Sequence, residues 1–202
     1  MRVLPYFSPL SMTTTFVVFS EGSSAAIIVD PVHLDRDFYA LLLAHKLEVD
    51  TVLVTHPEEY MLHALGTLGK IYNYRLVCGD SDHFPGTESQ LNPYDRQLLT
   101  CAGLSVESIP ILPHSRSSFI YRFGCVVFTG PIIHAGTLGD TMNEYTEELL
   151  VATVKDQLFS AAHDLVEGDR DMLILPSIGP PTTIRAEQHL SPYYRDRDTE
   201  LD

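Results

Sequence analysis

The hydrophobic pattern of the first part of the chain alternates between short apolar runs and helical spacing. Residues 16–19 and 26–29 are runs of β-branched and aromatic side chains around a Glu-Gly-Ser-Ser turn sequence, which predicts a hairpin. Residues 36–46 carry apolar side chains at helical spacing, and the apolar run 51–55 after them predicts a buried strand that leads into His56. The order strand, helix, strand predicts a β-α-β unit.

The middle of the chain predicts helices first and then strands. Residues 61–72 and 93–101 are predicted helices, and the run 75–78 between them is a predicted strand. A loop rich in Gly, Asp and Pro, at 79–86, separates this strand from the second helix. Three further strands then form a predicted meander, at 104–112, 119–123 and 125–129.

The last part of the chain predicts a long helix, a strand and a short helix. The sequence Thr-Met-Asn-Glu at 141–144 has the capping-box pattern, and apolar positions recur after it at helical spacing, namely Leu149, Leu150, Val154, Leu158 and Ala162. Residues 171–175 predict a buried strand, which runs into the rigid loop 176–181. A short helix is expected from residue 183 onward, and it stops before Pro192.

This order of elements favours an αββα four-layer sandwich of the α/β class, with two sheets packed together and helices outside them. Periodicity alone also permits an ordinary doubly wound sheet. The motifs therefore have to decide between the two architectures.

Composition indicates one acidic domain. The 202 residues are 45% hydrophobic, which is enough apolar material for one buried domain, expected at residues 1–193. Asp and Glu number 27 against 13 Lys and Arg, a formal net charge of −14, and an acidic C-terminal tail is expected at 194–202. Because no basic cluster interrupts the acidic excess, nucleic acid is not expected as a partner.

Apolar runs and cysteines bear on the cellular compartment. No apolar run approaches membrane-spanning length, and residues 1–20 lack the continuous apolar segment of a signal peptide. Cys78, Cys101 and Cys125 are odd in number and widely spaced, which suits reduced thiols better than a disulfide framework. We expect a cytoplasmic protein without a membrane partner, and assembly into a homo-oligomer stays open.

Four motif segments occur in an order that spans most of the chain. They are Ile-Val-Asp-Pro at 28–31, Val-Leu-Val-Thr-His at 52–56, Phe-Thr-Gly-Pro at 128–131 with Gly-Thr-Leu-Gly at 136–139, and Ile-Leu-Pro-Ser-Ile-Gly-Pro-Pro-Thr-Thr at 174–183. In this order they resemble the metallo-β-lactamase-fold hydrolases of the short glyoxalase II-like (hydroxyacylglutathione hydrolase-like) kind. The resemblance implies the αββα sandwich and two adjacent metal ions, which His and Asp side chains hold at one edge of it.

Most of the metal ligands that the resemblance implies are replaced in the first loop. His56 matches the first histidine of the family's Thr-His-x-His-x-Asp-His sequence. Glu58 stands at the second histidine, Tyr60 at the aspartate and Met61 at the last histidine.

The later ligand positions are also replaced, with one exception. Pro131 stands at the position of the family's bridging aspartate. Ile178 stands at the position of the histidine in the loop 176–181, which we call the closing loop, and neither side chain can bind a metal ion. His114, in Pro-His-Ser, still matches the family's Gly-His-Thr. His56, Glu58 and His114 are therefore the candidate ligands of a single divalent ion, zinc first among them, and no second ion is expected. The alternative is that they are hydrogen-bonded rim residues and that no metal binds.

Catalytic candidates are poor substitutes for the missing aspartate, which in the family orients and deprotonates the attacking water. Tyr60 has an ordinary pKa of about 10, which makes it a poor base at neutral pH, and Glu59 is the neighbouring carboxylate. His134 is expected near the cleft.

Two functions are compatible with these replacements. The first is a catalytically impaired relative, a pseudoenzyme, whose cleft binds a small molecule or whose surface binds a protein partner. The second is a single-metal hydrolase of an ester or thioester that uses His56, Glu58 and His114. Metal content is the observation that separates them.

Overall fold

The first sheet has six strands in sequential order. The computed structural model describes residues 1–79, 89–160 and 171–194. The elements of the first half are β1 Arg2–Ser8, β2 Thr13–Phe19, β3 Ala25–Val29, α1 Arg36–Ala44, β4 Glu48–Leu53, α2 Met61–Ile71, β5 Arg75–Cys78 and β6 Ser89–Gln90. Strands β1 to β3 pair antiparallel and β3 to β6 parallel. The predicted hairpin and β-α-β unit are both present.

The second sheet also has six strands, in the order β14-β13-β10-β9-β8-β7. Its elements and those around it are β7 Gln97–Cys101, β8 Leu104–Pro110, β9 Phe119–Phe123, β10 Val126–Gly130, the small ribbon β11 Ile133–His134 with β12 Thr137–Leu138, α3 Glu144–Val154, a π-helical segment Lys155–Ser160, β13 Leu173–Pro176, β14 Thr182–Thr183 and α4 Ile184–Leu190. Neighbours pair antiparallel except β10 and β13, which are parallel. The parallel pair places the ends of β10 and β13 at one edge.

Three apolar clusters define the layers. One cluster joins the facing sides of the two sheets, with Phe16 and Val18 from the first sheet against Tyr121 and Phe128 from the second. A second cluster packs α1 and α2 on the outside of the first sheet, and a third packs α3 and α4 on the outside of the second. The order helix, sheet, sheet, helix confirms the predicted αββα sandwich.

The helix predicted at 93–101 is wrong. Residues 97–101 are strand β7, which pairs with β8 from Gln97 opposite Ser108 to Cys101 opposite Leu104. Leu98 is 77% exposed whereas Cys101 is fully buried. The segment is therefore an edge strand of the second sheet with one solvent-exposed face. Pairing with β8 overrides the helical spacing of its apolar residues. The predicted loop at 79–86 lies outside the described residues after Gly79.

The start of α3 also differs from the prediction. The helix begins at Glu144, and its N-cap is Asn143 rather than Thr141. The Asn143 side chain accepts a hydrogen bond from the Thr146 backbone N–H at 3.0 Å, and Thr146 Oγ1 accepts one from the Asn143 N–H at 3.0 Å. Thr thus takes the part that the prediction gave to Glu144. Ala162, the last predicted apolar position of this helix, lies outside the described residues.

The edges of the chain add two observations. Strand β1, which the hydrophobic pattern did not predict, is an edge strand, and an edge accepts Pro5 because its missing N–H disrupts no second partner. At the other end, Tyr194 is 2% exposed and its ring centroid lies 4.8 Å from that of Phe159. Residues 195–202 of the predicted tail lie outside the described part. No helix in the described ranges is both long and apolar enough to cross a bilayer.

Candidate functional site

A buried carboxylate fixes the strand end that carries His56. Asp30 follows β3, is 1% exposed, and its Oδ1 and Oδ2 accept hydrogen bonds from the backbone N–H and the hydroxyl of Thr55 at 2.8 and 2.7 Å. The Thr15 hydroxyl donates to the Asp30 carbonyl at 2.8 Å. Asp30 is therefore fixed by Thr15 and in turn fixes the backbone of Thr55, the residue just before His56.

The end of β10 passes very close to the same point. A Cβ atom at Gly130 would lie 1.9 Å from Thr55 Oγ1, and Gly130 has a positive φ of 57°. Only glycine fits this position, since any side chain would displace Thr55 and strain the backbone. This approach brings Pro131, the next residue, to the edge where His56 lies.

Hydrogen bonds between the sheets bring in the loop that carries His114. The Phe119 N–H donates to the Thr55 carbonyl at 2.8 Å, and the Tyr121 hydroxyl donates to the Val54 carbonyl at 3.0 Å. Residues 111–118, which connect β8 to β9, therefore turn directly over His56. His114 comes from the second sheet and His56 from the first.

His56 is hydrogen-bonded at both ring nitrogens. Its Nδ1 lies 2.7 Å from Ser118 Oγ and its Nε2 lies 3.1 Å from Glu58 Oε1. Ser118 in turn lies 2.7 Å from Ser115 Oγ. Because a hydroxyl can donate or accept, Ser118 tolerates a proton on either nitrogen of His56. The contact with the Glu58 carboxylate favours the tautomer with the proton on Nε2.

His114 has a fixed tautomer. Its Nδ1 lies 3.1 Å from the Asp140 carbonyl oxygen, which can only accept, so Nδ1 carries the proton. Its Nε2 then has a free lone pair, as in histidines whose other nitrogen is held by a carbonyl group near a metal. The rings of His56 and His114 meet edge to face, with centroids 4.9 Å apart.

These side chains line an open pocket of about 520 Å³, and we call it the polar lobe. Two carboxyl groups, three imidazoles, a phenol and a few apolar groups line it, and no Lys or Arg is among the described residues there. Its lining residues are His56, Glu58, Tyr60, His114, Pro131, His134, Thr137, Leu138, Gly139, Asp140 and Ile178.

Burial sets the protonation of the lining groups. It lowers the pKa of His56, of His114, where His56 adds to the effect, and of His134, where Glu187 opposes it. Burial also raises the pKa of Tyr60 to about 12, and Glu58 and Asp30 add to that shift. At neutral pH the pocket therefore presents uncharged imidazoles and an uncharged phenol.

A buried glutamate holds the far wall of the polar lobe. Glu187, on α4, is 3% exposed and accepts hydrogen bonds from the Gly136 N–H at 3.1 Å and the Thr182 hydroxyl at 2.7 Å. His134 lies beside Gly179, where a Cβ atom would be 2.7 Å from its Nδ1. The ribbon of β11 and β12 is thereby fixed against the closing loop.

The residues at the replaced ligand positions do not fit two metal ions. Met61 is 3% exposed and packs in the core beneath α2, while Pro131 and Ile178 line the pocket without a donor atom. Within the described residues, no three His, Cys, Asp or Glu side chains are grouped so that they could hold a metal ion. His56 lies beside both Glu58 and His114, with 3.1 Å between His56 Nε2 and Glu58 Oε1 and 4.9 Å between the two ring centroids, but the three side chains do not form such a group in this structure.

Most of the predicted site residues meet in this pocket. His56, Glu58, His114 and Tyr60 line it, whereas Glu59 is exposed on the loop and is not among the lining residues. The sequence did not indicate Asp140, whose backbone carbonyl sets the tautomer of His114. A backbone contact of this kind leaves no mark in the residue type. The Gly-Thr-Leu-Gly motif just before it was the available signal.

Two sheets face to face, outer helices, and a pocket where strand ends meet define the metallo-β-lactamase fold, and this chain has it. A B3 metallo-β-lactamase, BLEG-1, matches with a TM-score of 0.79 at 18% identity, over 96% of this chain and 100% of that chain. ETHE1 from Myxococcus xanthus matches with a TM-score of 0.78 at 22% identity, over 95% and 84%.

A third solved structure with the same fold holds a di-iron centre. TTHA1623, in a di-iron-bound form, matches with a TM-score of 0.70 at 19% identity, over 94% of this chain and 99% of that chain. No protein-family model and no curated protein sequence matches the chain. The likeness at these identities is one of fold.

Proposed function

We propose that the protein is a pseudoenzyme of the metallo-β-lactamase fold, related to the glyoxalase II-like hydrolases, which binds a small molecule in the polar lobe without a two-metal centre. The observation that carries the proposal is the coordinated change at the replaced positions. Met61 has moved into the core, and Pro131 and Ile178 line the pocket with apolar surface. The cavity of about 520 Å³ is of the size that small-molecule sites have.

The two candidate metal-binding histidines of the pocket have hydrogen-bonding partners without an ion. His56 has Ser118 on one nitrogen and Glu58 on the other, and His114 donates to the Asp140 carbonyl. These partners support a pocket that needs no metal ion to hold His56 and His114 in place.

The second candidate is a single-metal hydrolase of an ester or thioester. Its specific support is the free lone pair of His114 Nε2, together with the 3.1 Å between His56 Nε2 and Glu58 Oε1. Two zinc ligands at a tetrahedral angle lie about 3.3 Å apart, so this pair is spaced for a shared ion. When bound, an ion there supplies Lewis-acid activation of water. Tyr60, with its raised pKa, is a poor general base for that chemistry.

Metal stoichiometry tests the proposal. The protein is purified without chelator or affinity metal, and zinc, iron and manganese are measured by elemental mass spectrometry for the wild type and the His56→Ala, His114→Ala double variant. His63→Ala, an exposed histidine on α2, is the matched control. We expect well below about 0.1 equivalent of metal in all three proteins, and unchanged far-ultraviolet circular dichroism.

Two other outcomes contradict the proposal in different ways. About one equivalent that survives in the control and is lost in the double variant establishes the single-metal site, and ester and thioester hydrolysis is then screened. About two equivalents of metal in the wild type overturn the proposal, and they also overturn the inference that Pro131 and Ile178 mark ligand positions that no longer bind metal.

We also propose that the protein is cytoplasmic and that it has no nucleic-acid partner. None of the three cysteines, all within the described residues, is in a disulfide, and Cys125 is exposed. A reducing cytoplasm suits an exposed thiol. The net charge of −14 argues against a nucleic-acid partner.

A further inference from the structure

A second cavity opens beside the polar lobe, and we call it the apolar lobe. It has a volume of about 470 Å³ and lies between the β1–β2 turn and the closing loop. Tyr60 and Ile178 line both cavities, so the two lobes share a wall. The lining residues of the apolar lobe are Leu10, Ser11, Thr13, Val32, His33, Tyr60 and Ile178.

The exposed side chains of the apolar lobe are large and apolar. Leu10 is 78% exposed, Tyr60 51% and Ile178 39%. Apolar side chains gathered around one opening leave a surface that gains free energy when a ligand covers it. The shared wall consists of two residues that stand where the glyoxalase II-like resemblance places an aspartate and a histidine. Tyr60 and Ile178 therefore remove two metal ligands at the same positions at which they form the wall between the two lobes.

The polar lobe suits a cationic group. Glu58 and Asp140 supply carboxyl groups, and His114 Nε2 supplies a lone pair that accepts a hydrogen bond. No Lys or Arg offsets them among the described lining residues. An anionic ligand would therefore lie beside two acidic residues with no basic side chain among the described lining residues, within a chain whose net charge is −14.

We propose that the two lobes together bind one amphiphilic amine, with its protonated amino group beside Glu58 and His114 and its apolar tail against Leu10 and Ile178. The inference rests on the proposed function, since it names the class of molecule that the pseudoenzyme binds. An ammonium group donates three hydrogen bonds, which matches the acceptors of the polar lobe. An aryl or alkyl tail matches the apolar lobe.

Isothermal titration calorimetry at pH 7 tests the inference with three probes. They are 2-phenylethylammonium, its anionic counterpart phenylacetate, and ethylammonium, which lacks the ring. We expect 2-phenylethylammonium to bind at least about tenfold more tightly than either of the others, since it alone satisfies both lobes. Equal or tighter binding of phenylacetate, or no binding of 2-phenylethylammonium, overturns the inference.

Substitutions locate each end of the probe. Leu10→Ser should weaken 2-phenylethylammonium about three- to tenfold through lost apolar contact, while Leu43→Ser, at an equally exposed leucine on α1, should leave it unchanged. Glu58→Gln keeps the shape and should weaken both amines about tenfold. Unchanged binding in both Leu10→Ser and Glu58→Gln, with both proteins folded, shows that the probe binds elsewhere and overturns the inference.

The metal analysis keeps this inference separate from the proposed function. Two equivalents of metal would remove the proposed function itself, whatever the amines do. Metal-free protein that does not bind 2-phenylethylammonium would remove only the amine and leave the pseudoenzyme in place.

Discussion

Asp30 is a buried residue that fixes the strand end before His56 through its hydrogen bonds with Thr55. Its carboxylate is wholly buried, and burial raises the pKa of Asp30 to about 6, against the two hydrogen bonds from Thr55 that favour the charged form. The folded protein therefore holds a proton there more tightly than the unfolded chain, in which the pKa is about 4. The Ile-Val-Asp-Pro motif marked the residue, but only the structure shows that it clamps the backbone before His56.

Asp30→Asn should remove a pH dependence of stability. Because the folded-state pKa is raised, the contribution of Asp30 is fully present below about pH 4 and is lost as the pH rises through about 6, on the order of 3 kcal/mol in total. An Asn side chain can still accept from the Thr55 N–H and has no charge to bury. We expect the free energy of unfolding of the wild type, relative to the variant, to fall between pH 4.5 and 7 in urea titrations.

Glu21→Gln, at an exposed position in the β2–β3 turn, is the control for this charge removal. Its curve of unfolding free energy against pH should run parallel to that of the wild type. If the curve of Asp30→Asn also runs parallel to it, the Asp30 carboxyl is charged in the folded protein throughout this range.

At the scale of elements, residue type predicts well wherever pairing and burial agree with local preference. The β-branched runs of β2, β3 and β4 formed strands, and the periodic segment 61–72 formed α2. Prediction failed where a partner distant in sequence decided the outcome. Residues 97–101 form a strand because they pair with β8. The N-cap is Asn143 and not Thr141 because the helix begins at Glu144, two residues later than the capping-box pattern predicts.

Gly130→Ala should be a strongly destabilising change at a buried strand end. The substitution adds the cost of a left-handed backbone, about 1–2 kcal/mol, to a clash with Thr55 at the strand end beneath the pocket. Gly124→Ala has nearly the same φ, 60°, and nothing within 4 Å of the added atom. We expect Gly130→Ala to lower the free energy of unfolding by at least about 2 kcal/mol more than Gly124→Ala.

Urea denaturation of the two variants side by side measures the difference. Because both carry the same backbone penalty, their difference isolates the close approach of β10 to Thr55. Equal losses of stability would mean that β10 can move away from Thr55 at no cost.

At the scale of the whole molecule, the order of four motifs predicted the sandwich and the edge at which the site lies. It did so because glycine, proline and strand-end residues are required by the backbone even when the metal ligands have changed. The apolar lobe could not be predicted, since Leu10 and Val32 are ordinary apolar residues in sequence and meet Ile178 only after the two sheets have packed. The single-metal site stays a prediction, which the metal analysis decides.

Tyr121→Phe tests how firmly the two sheets are joined. The Tyr121 hydroxyl, on β9, donates to the carbonyls of Val54 and Val77 in the first sheet, at 3.0 and 3.3 Å. Removing it should lower the free energy of unfolding by about 1–2 kcal/mol, since buried carbonyl groups lose a donor. Tyr94→Phe, at a tyrosine that is 66% exposed, should change it by less than about 0.5 kcal/mol. Urea denaturation compares them, and equal effects would mean that the hydrogen bonds of the Tyr121 hydroxyl contribute nothing to stability.

The contact between the sheets also determines when the pocket can exist during synthesis. His56 and Glu58 emerge early, but His114, Pro131 and Ile178 belong to the second sheet, and Ile178 lies beyond its last long strand. A ribosome-bound chain that stops short of residue 178 therefore carries every lining residue of both lobes except Ile178, which the two lobes share. At about 5–20 residues per second, several seconds separate the first wall from the last. The wall that joins the two lobes is thus completed last, and a ligand that needs both lobes can stabilise only the finished molecule.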